Sequence, residues 1–203
     1  MDSNMPKIFC IGFQKTGTTS LGVAFEKIGY NVGDVNHEIV PELQKKNFEI
    51  IKATVEPYDV LEDNPWPVLF RQLDEYFPGS KFILSIRDEE SWIKSVVNHF
   101  DSKPSEMNRF IYGVPFPSGN EKVFLERYRR HNEEVKAYFQ NRPKDLLIID
   151  LEKEDAWSKL CPFLQIPIPD FAFPHVNKGA YTLPGKWWRY VWKRIRARWR
   201  DSF

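Results

Sequence analysis

The chain has 203 residues, a formal net charge of +1, 42% hydrophobic residues and 28% charged residues, a composition typical of one ordinary globular domain. Its 10 glycines and 15 prolines are scattered, which excludes a collagen-like or low-complexity protein. The two cysteines, Cys10 and Cys161, exclude a disulfide framework, and we expect both to be buried free thiols in a reducing compartment.

The apolar segments of the chain are short. The N-terminal residues 1–7 lead into an apolar run that is too brief for the core of a signal peptide. No stretch of about 18 consecutive apolar residues occurs, so the sequence predicts no transmembrane helix. We therefore expect a cytoplasmic protein.

The N-terminal third predicts a strand, a glycine-containing loop and a helix. Residues 7–12 form a short apolar run that ends in glycine, and residues 18–28 place apolar side chains on one helical face before Gly29. Residues 34–46 suggest a loop and a short helix, and residues 58–61 a second short strand.

The remainder continues the alternation. The predicted elements are a helix over 68–77, a strand over 81–86, a helix capped by Asp88 and running to Phe100, a loop with one helical turn over 101–120, a helix over 121–139, a strand over 146–149 and a helix over 156–164. Strands that are apolar throughout are typical of a parallel sheet covered on both faces. The sequence thus predicts one α/β domain, a three-layer parallel sheet with helices on both faces, of the P-loop nucleotide-binding type.

The most informative stretch is the loop from Gly12 to Ser20. It has the G-x-x-x-x-G spacing of a P-loop and lies between a predicted strand and a predicted helix, so its backbone N–H groups should bind an anion at the helix N-terminus. Gly17 is followed by Thr18 and Thr19 rather than by Lys-Ser/Thr, and the lysine lies within the loop, at Lys15. That displacement distinguishes the loop from a Walker A motif, whose lysine serves the β and γ phosphates.

The segment Gln14–Leu21 resembles the 5′-phosphosulfate loop of sulfotransferases that use 3′-phosphoadenosine-5′-phosphosulfate (PAPS), with the pattern P-K-[ST]-G-T-T-x-L. Gln14 departs from the usual proline, which should alter loop rigidity more than ligand contacts. Weaker resemblances extend the similarity over about residues 7–180 and include Trp92, Tyr128, His131, Trp157 and the segment 173–177. The resemblance implies transfer of a sulfuryl group from PAPS to a hydroxyl or amine, giving 3′-phosphoadenosine-5′-phosphate (PAP), without a metal ion.

The resemblance also implies a 3′-phosphate site, made of an arginine at a strand end and a serine on the next helix. Arg87 and Ser95 occupy those positions, and a guanidinium offers a planar fork for a terminal phosphate. The implied 5′-phosphosulfate contacts are Gln14, Lys15, Thr16, Gly17, Thr18, Thr19 and Ser20. A Lys-Gly pair in a C-terminal loop of the family implies further contacts from Lys178 and Gly179.

Transfer to an alcohol needs groups that stabilise the leaving phosphate and accept a proton. Lys15 is predicted to stabilise the leaving group. The family's base is a histidine or a glutamate, and the candidates here are His37 and Glu38 after the first helix and Glu62 and Asp63 after the second strand. His37 is the first choice, because its unperturbed pKa is nearest neutrality.

The C-terminal segment 183–203 is predicted to be a separate amphipathic helix after a sulfotransferase domain over residues 1–182. Residues 186–200 contain seven bases and no acid, whereas the preceding chain has 22 bases and 27 acids. Trp188, Trp192 and Trp199 recur on one face, which suits either docking on the domain or peripheral contact with a membrane. No recognition motif for nucleic acid accompanies it.

Two other functions remain open from the sequence. A P-loop kinase or nucleotidase would need a Mg²⁺-holding acid at a strand end, for which Asp150 is the nearest candidate. A non-catalytic, membrane-peripheral nucleotide-binding protein would bind PAP without transfer. The acceptor, whether a small molecule, a lipid or a carbohydrate, and the oligomeric state are not predicted.

Overall fold

The computed structural model describes residues 6–176, and within them the chain forms a five-stranded parallel sheet covered by helices. The strands are β1 (Ile8–Cys10), β2 (Val32–Gly33), β3 (Val60–Leu61), β4 (Lys81–Ser85) and β5 (Leu146–Ile149). The helices are α1 (Thr18–Lys27), α2 (Val40–Gln44), α3 (Ile50–Val55), α4 (Phe70–Tyr76), α5 (Glu89–Phe100), α6 (Glu106–Tyr112), α7 (Glu121–Phe139) and α8 (Ala156–Leu164). The predictions for Lys178, Gly179 and the C-terminal helix fall outside the described residues.

The strand order is β2-β3-β1-β4-β5, and all pairs are parallel. Ile8 pairs with Val60 of β3 on one side and with Lys81 of β4 on the other. Since the strands are parallel, the loops that follow β1, β3 and β4 leave the sheet at one edge. The sheet therefore gathers the predicted phosphate loop (residues 12–20), Asp63 and Arg87 at that edge.

The two faces of the sheet are buried by different helices. Ile8 and Cys10 pack in a core with α1 and α8, while Phe9 and Ile11 pack in a second core with α3, α4 and α7. Successive side chains of a strand point to opposite faces, so each face receives alternate residues of the same apolar run. The predicted three-layer α/β fold is confirmed.

Several helix boundaries follow from local chemistry. Helix α1 ends at Lys27 and is followed by Gly29, whose φ of 104° is left-handed. The N–H groups of Gly29 and Tyr30 donate to the carbonyls of Glu26 and Phe25, which is a Schellman C-cap. The Asp88 carboxylate caps α5 by accepting a 3.0 Å hydrogen bond from the N–H of Ser91, as predicted.

The structure differs from the predicted elements in four places. The predicted helix over 68–77 starts earlier as a 3₁₀-helix, Trp66–Leu69, before α4. Residues 101–120 contain the seven-residue helix α6 rather than a single turn, with Ser105 as N-cap and Gly113 as left-handed stop. The short elements β2 and α3 were not predicted, because two residues of strand and six of helix carry too little periodicity to recognise.

Both cysteines are free and buried, as expected. Among the described residues, no helix combines the length and apolar character required to cross a membrane.

Candidate active site

Two glycines shape the loop between β1 and α1. A Cβ on Gly12 would lie 2.1 Å from the Ser85 Oγ and 2.4 Å from the Ser85 carbonyl oxygen, so only glycine allows the loop to leave β1 this close to β4. Gly17 has a φ of 96°, and a Cβ there would lie 2.6 Å from the Leu151 side chain. Lys15 is itself left-handed, with a φ of 69°. The loop is thus a tight turn that directs the chain into α1.

The N-terminus of α1 suits an anion. Gly17 is the N-cap and offers no side-chain hydrogen bond, and the first turn contains no acidic residue. The first N–H groups of a helix have no intrahelical partner, and the helix dipole favours negative charge there. This end of α1 is therefore available to a phosphate or sulfate group.

Side-chain hydrogen bonds fix the loop to the elements around it. The hydroxyl of Thr16 contacts the carbonyl oxygen of Phe13 and the Ser85 Oγ, at 2.7 Å each. The indole N–H of Trp92 donates to the Gln14 carbonyl at 2.9 Å. The Ser20 hydroxyl accepts from the N–H of Val176 at 3.1 Å. The loop is preorganised before any ligand binds.

Gln14 has a structural role that proline could not fill. Its side chain is almost fully buried; the amide donates to the Tyr112 hydroxyl at 2.6 Å and its oxygen accepts from the Asn64 side chain at 2.9 Å. Burial raises the pKa of Tyr112 far above its usual value. Gln14 thereby links the loop to helix α6 and to the segment that follows β3.

Arg87 and Ser95 lie on the other side of the same edge. Arg87 lies two residues after the end of β4. Its backbone N–H donates to the Tyr128 hydroxyl and its carbonyl accepts from that hydroxyl, at 2.9 Å each. Its guanidinium donates to the Lys15 carbonyl at 3.3 Å, so the two predicted phosphate sites are in direct contact. Ser95 lies on α5, one helical turn after Ser91.

These elements enclose one cavity of about 750 Å³, large enough for a nucleotide-sized ligand. The loop forms one wall, helix α5 a second, and the segments 151–152 and 173–176 a third. The lining residues are Gln14, Lys15, Thr16, Gly17, Thr18, Thr19, Ser20, Asp63, Ile86, Arg87, Ser91, Lys94, Ser95, Asn98, His99, Phe100, Leu151, Glu152, Phe173, His175 and Val176.

The structure brings together most of the predicted site residues. Residues 14–20, Arg87, Ser95 and Asp63 all line the cavity. His37 and Glu38 are exposed, precede α2 and are not among its lining residues. Asp150, the acid considered for Mg²⁺, is likewise absent from the lining; its carboxylate accepts from the Glu152 N–H and pairs with Lys153.

Several cavity residues were missed by the sequence analysis, and three of them are charged or titratable side chains that could contact a ligand. Lys94, His99 and Glu152 line the cavity. Spacing could have indicated His99, because it follows Ser95 by four residues and so shares its helical face. Burial, followed by the charges of Lys15 and Lys103, lowers the pKa of His99. Glu152 could not be found, since its position depends on the turn after β5.

Three carboxylates meet at the ends of β2 and β3. Oxygens of Asp34, Glu62 and Asp63 lie within 4.8 Å of one another, and Glu62 is buried. The sequence did not predict this cluster. Exposed acidic groups are common without a bound ion. Asp63 brings this cluster to the cavity that the loop from Gln14 to Ser20 also lines.

Two comparisons bear on identity. A family model described as a sulfotransferase domain matches residues 7–118 and 106–182. A protein named "Ava biosynthesis cluster protein M", from Aspergillus versicolor, is 25% identical over 215 residues, covering 84% of this chain and 80% of that protein.

Proposed function

We propose, because the chain belongs to the sulfotransferase domain family, that it transfers a sulfuryl group from PAPS to a hydroxyl or amine of an acceptor and releases PAP. The observation that carries the proposal is that the N-terminus of α1 and Arg87 line one cavity, where the Arg87 guanidinium also contacts the Lys15 carbonyl. Two anion sites in one nucleotide-sized cavity suit a donor with phosphates at both ends.

We assign roles to the residues of the PAPS site according to the contacts that they already make within the protein. The N–H groups of Gly17, Thr18 and Thr19 bind the 5′-phosphosulfate, with Lys15 beside the bond that breaks. The Thr16 and Ser20 hydroxyls and the Gln14 side chain, already bonded within the protein, serve mainly to hold the loop. Arg87 and Ser95 bind the 3′-phosphate.

In the transfer, the acceptor oxygen or nitrogen forms a bond to sulfur while the bond from sulfur to the phosphate oxygen breaks. The leaving phosphate takes the electron pair, and Lys15 stabilises that charge. The proton of the acceptor passes to a base. We assign Asp63 this role rather than His37 or Glu38, because Asp63 lines the cavity.

Asp63 is held at the cavity by its neighbours. Its φ of 68° is left-handed, a conformation that aspartate tolerates, and its carboxylate accepts from the N–H of Asn64 at 2.8 Å. The Asn64 side chain in turn donates to Gln14. The base and the phosphate loop are thereby held in one unit.

A titration calorimetry experiment tests the donor site. We expect PAP to bind without Mg²⁺, with affinity reduced at least tenfold in Lys15→Ala and in Arg87→Ala. Lys45→Ala is the matched control, since this exposed lysine pairs with Glu42 on α2. Failure of PAP to bind the wild-type protein would overturn the proposal.

One observation favours a second function, a P-loop kinase or nucleotidase. The carboxylates of Asp34, Glu62 and Asp63 beside the loop provide oxygens of the kind that Mg²⁺ prefers. The same titration separates the two, because ATP binding that requires Mg²⁺, with no binding of PAP, would favour the kinase. The missing Lys-Ser/Thr after Gly17 and the family membership favour the sulfotransferase.

A further inference from the structure

The Arg87 guanidinium already holds an anion from the protein itself. Its Nη2 lies 2.8 Å from the Glu152 Oε1, and its Nη1 donates to the Lys15 carbonyl. Its Nε is buried and has no hydrogen-bond partner among the described residues. A carboxylate therefore occupies part of the fork that the 3′-phosphate would use, and one donor of that fork is still unsatisfied.

The two partners differ in how firmly they are held. The backbone of Arg87 is fixed on both sides by the Tyr128 hydroxyl, and its side chain is 23% exposed. The side chain of Glu152 is 55% exposed. Its backbone is held in the turn by the 3.0 Å bond from its N–H to the Asp150 carboxylate. The Glu152 carboxylate is thus the movable member of the pair.

Carboxylate and phosphate oxygens bind the guanidinium in the same planar geometry. Both cannot occupy it at once without placing two anions side by side, and Glu152 lines the same cavity as the arginine. We propose that Glu152 is an internal counter-ion that competes with the terminal phosphate of the nucleotide for Arg87, and this inference rests on the proposed function.

The competition has a consequence for turnover. Glu152 weakens the binding of any ligand with a phosphate at the arginine, and it returns to the fork when that ligand leaves. Product release limits the turnover of many well-evolved enzymes. By returning to the arginine, Glu152 accelerates the departure of PAP at the expense of affinity. It also makes the contribution of the 3′-phosphate to binding smaller than the arginine alone would give.

The test compares PAP with 5′-AMP, which lacks the 3′-phosphate, by titration calorimetry and stopped-flow dissociation. We expect Glu152→Gln to bind PAP about three- to tenfold more tightly, in the range of a partly exposed ion pair, with slower dissociation. Its affinity for 5′-AMP should change less than twofold. Adding Arg87→Ala to Glu152→Gln should abolish the gain, because the gain requires the guanidinium.

Glu49→Gln is the matched control, as it removes the same charge from an exposed glutamate that pairs with Lys52 outside the cavity. Equal tightening for PAP and 5′-AMP would overturn the inference, since it would reflect only the charge of the cavity. Unchanged PAP affinity in Glu152→Gln, with wild-type binding intact, would also overturn it. A wild-type protein that binds no PAP would overturn the proposed function and this inference with it.

Discussion

The side-chain amide of Gln14 donates a 2.6 Å hydrogen bond to the Tyr112 hydroxyl, and this bond joins the phosphate loop to helix α6. The same amide group accepts from Asn64, next to Asp63. One side chain thus connects the loop proposed to bind the donor, the segment that holds the proposed base Asp63, and helix α6. The sequence places at this position a residue whose family counterpart, proline, has no side-chain amide.

Replacing Gln14 should therefore destabilise the fold. Gln14→Ala leaves the Tyr112 hydroxyl and the Asn64 amide buried without this partner, and we expect a loss of about 1–3 kcal/mol in the free energy of unfolding. Urea denaturation measures it. A double-mutant cycle with Tyr112→Phe should give a coupling of about 1 kcal/mol; additive effects of the two substitutions would contradict the link.

The fold was largely predictable because its long elements carry strong local signals. The β4 strand, the Asp88-capped helix α5 and the 19-residue helix α7 all appear where apolar runs and periodicity predict them. Short elements such as β2 gain their stability from neighbours rather than from their own sequence. They could not be predicted for that reason.

Candidate site residues could be predicted where they lie close together in the sequence. They could not be predicted where residues from distant segments meet only in the folded chain. The loop from Gln14 to Ser20 and the Arg87–Ser95 pair each lie on one strand–helix unit, so the loop spacing and the resemblance to sulfotransferases predict them from the sequence. The proposal of Asp63 rather than His37 as the base depends on which loop lines the cavity, and that is set by the fold. The Arg87–Glu152 pair joins residues that follow different strands, β4 and β5. No local sequence pattern predicts a contact between residues so far apart in the chain.

Transfer assays should show whether Asp63 or His37 is the general base. With any acceptor that the wild type sulfates from labelled PAPS, Asp63→Asn should lower kcat about 10²- to 10⁴-fold, as expected for loss of a general base. Its affinity for PAP should change little. His37→Gln should retain wild-type kcat, and the reverse pattern would return the role to His37.

Stability should depend on pH through His131. This histidine is fully buried on α7, stacks on Phe13 at 4.4 Å and contacts the Ile11 carbonyl through Nε2. Burial lowers its pKa to about 4, whereas the unfolded chain titrates near 6.5. The unfolded state therefore binds the proton first as pH falls. The contribution of neutral His131 to the free energy of unfolding is fully present above about pH 6.5 and is lost between about pH 6.5 and 4.

The loss through that range should be on the order of 3 kcal/mol. Urea denaturation at several pH values measures it, and His131→Gln should show a smaller loss between pH 6.5 and 4.5 even if it is less stable throughout. The exposed His37→Gln serves as the control and should keep the wild-type dependence. An unchanged dependence in His131→Gln would contradict the assignment.

The basic segment 186–200 stays a prediction from the sequence, as it falls outside the described residues. If it contacts membranes, removal of residues 183–203 should abolish co-sedimentation with anionic vesicles, and added salt should weaken the binding of the full chain. The shortened chain should still bind PAP if the domain is complete at residue 182. Unchanged sedimentation after removal would contradict membrane contact through this segment.

The most direct test of the account is a crystal structure of the protein with PAP. We predict the 5′-phosphate on the N–H groups of residues 17–19 near Lys15, and the 3′-phosphate on the Arg87 guanidinium and the Ser95 hydroxyl, with the Glu152 carboxylate displaced from the arginine. PAP bound outside this cavity, or bound with no phosphate on Arg87, would contradict the assignment of the donor site.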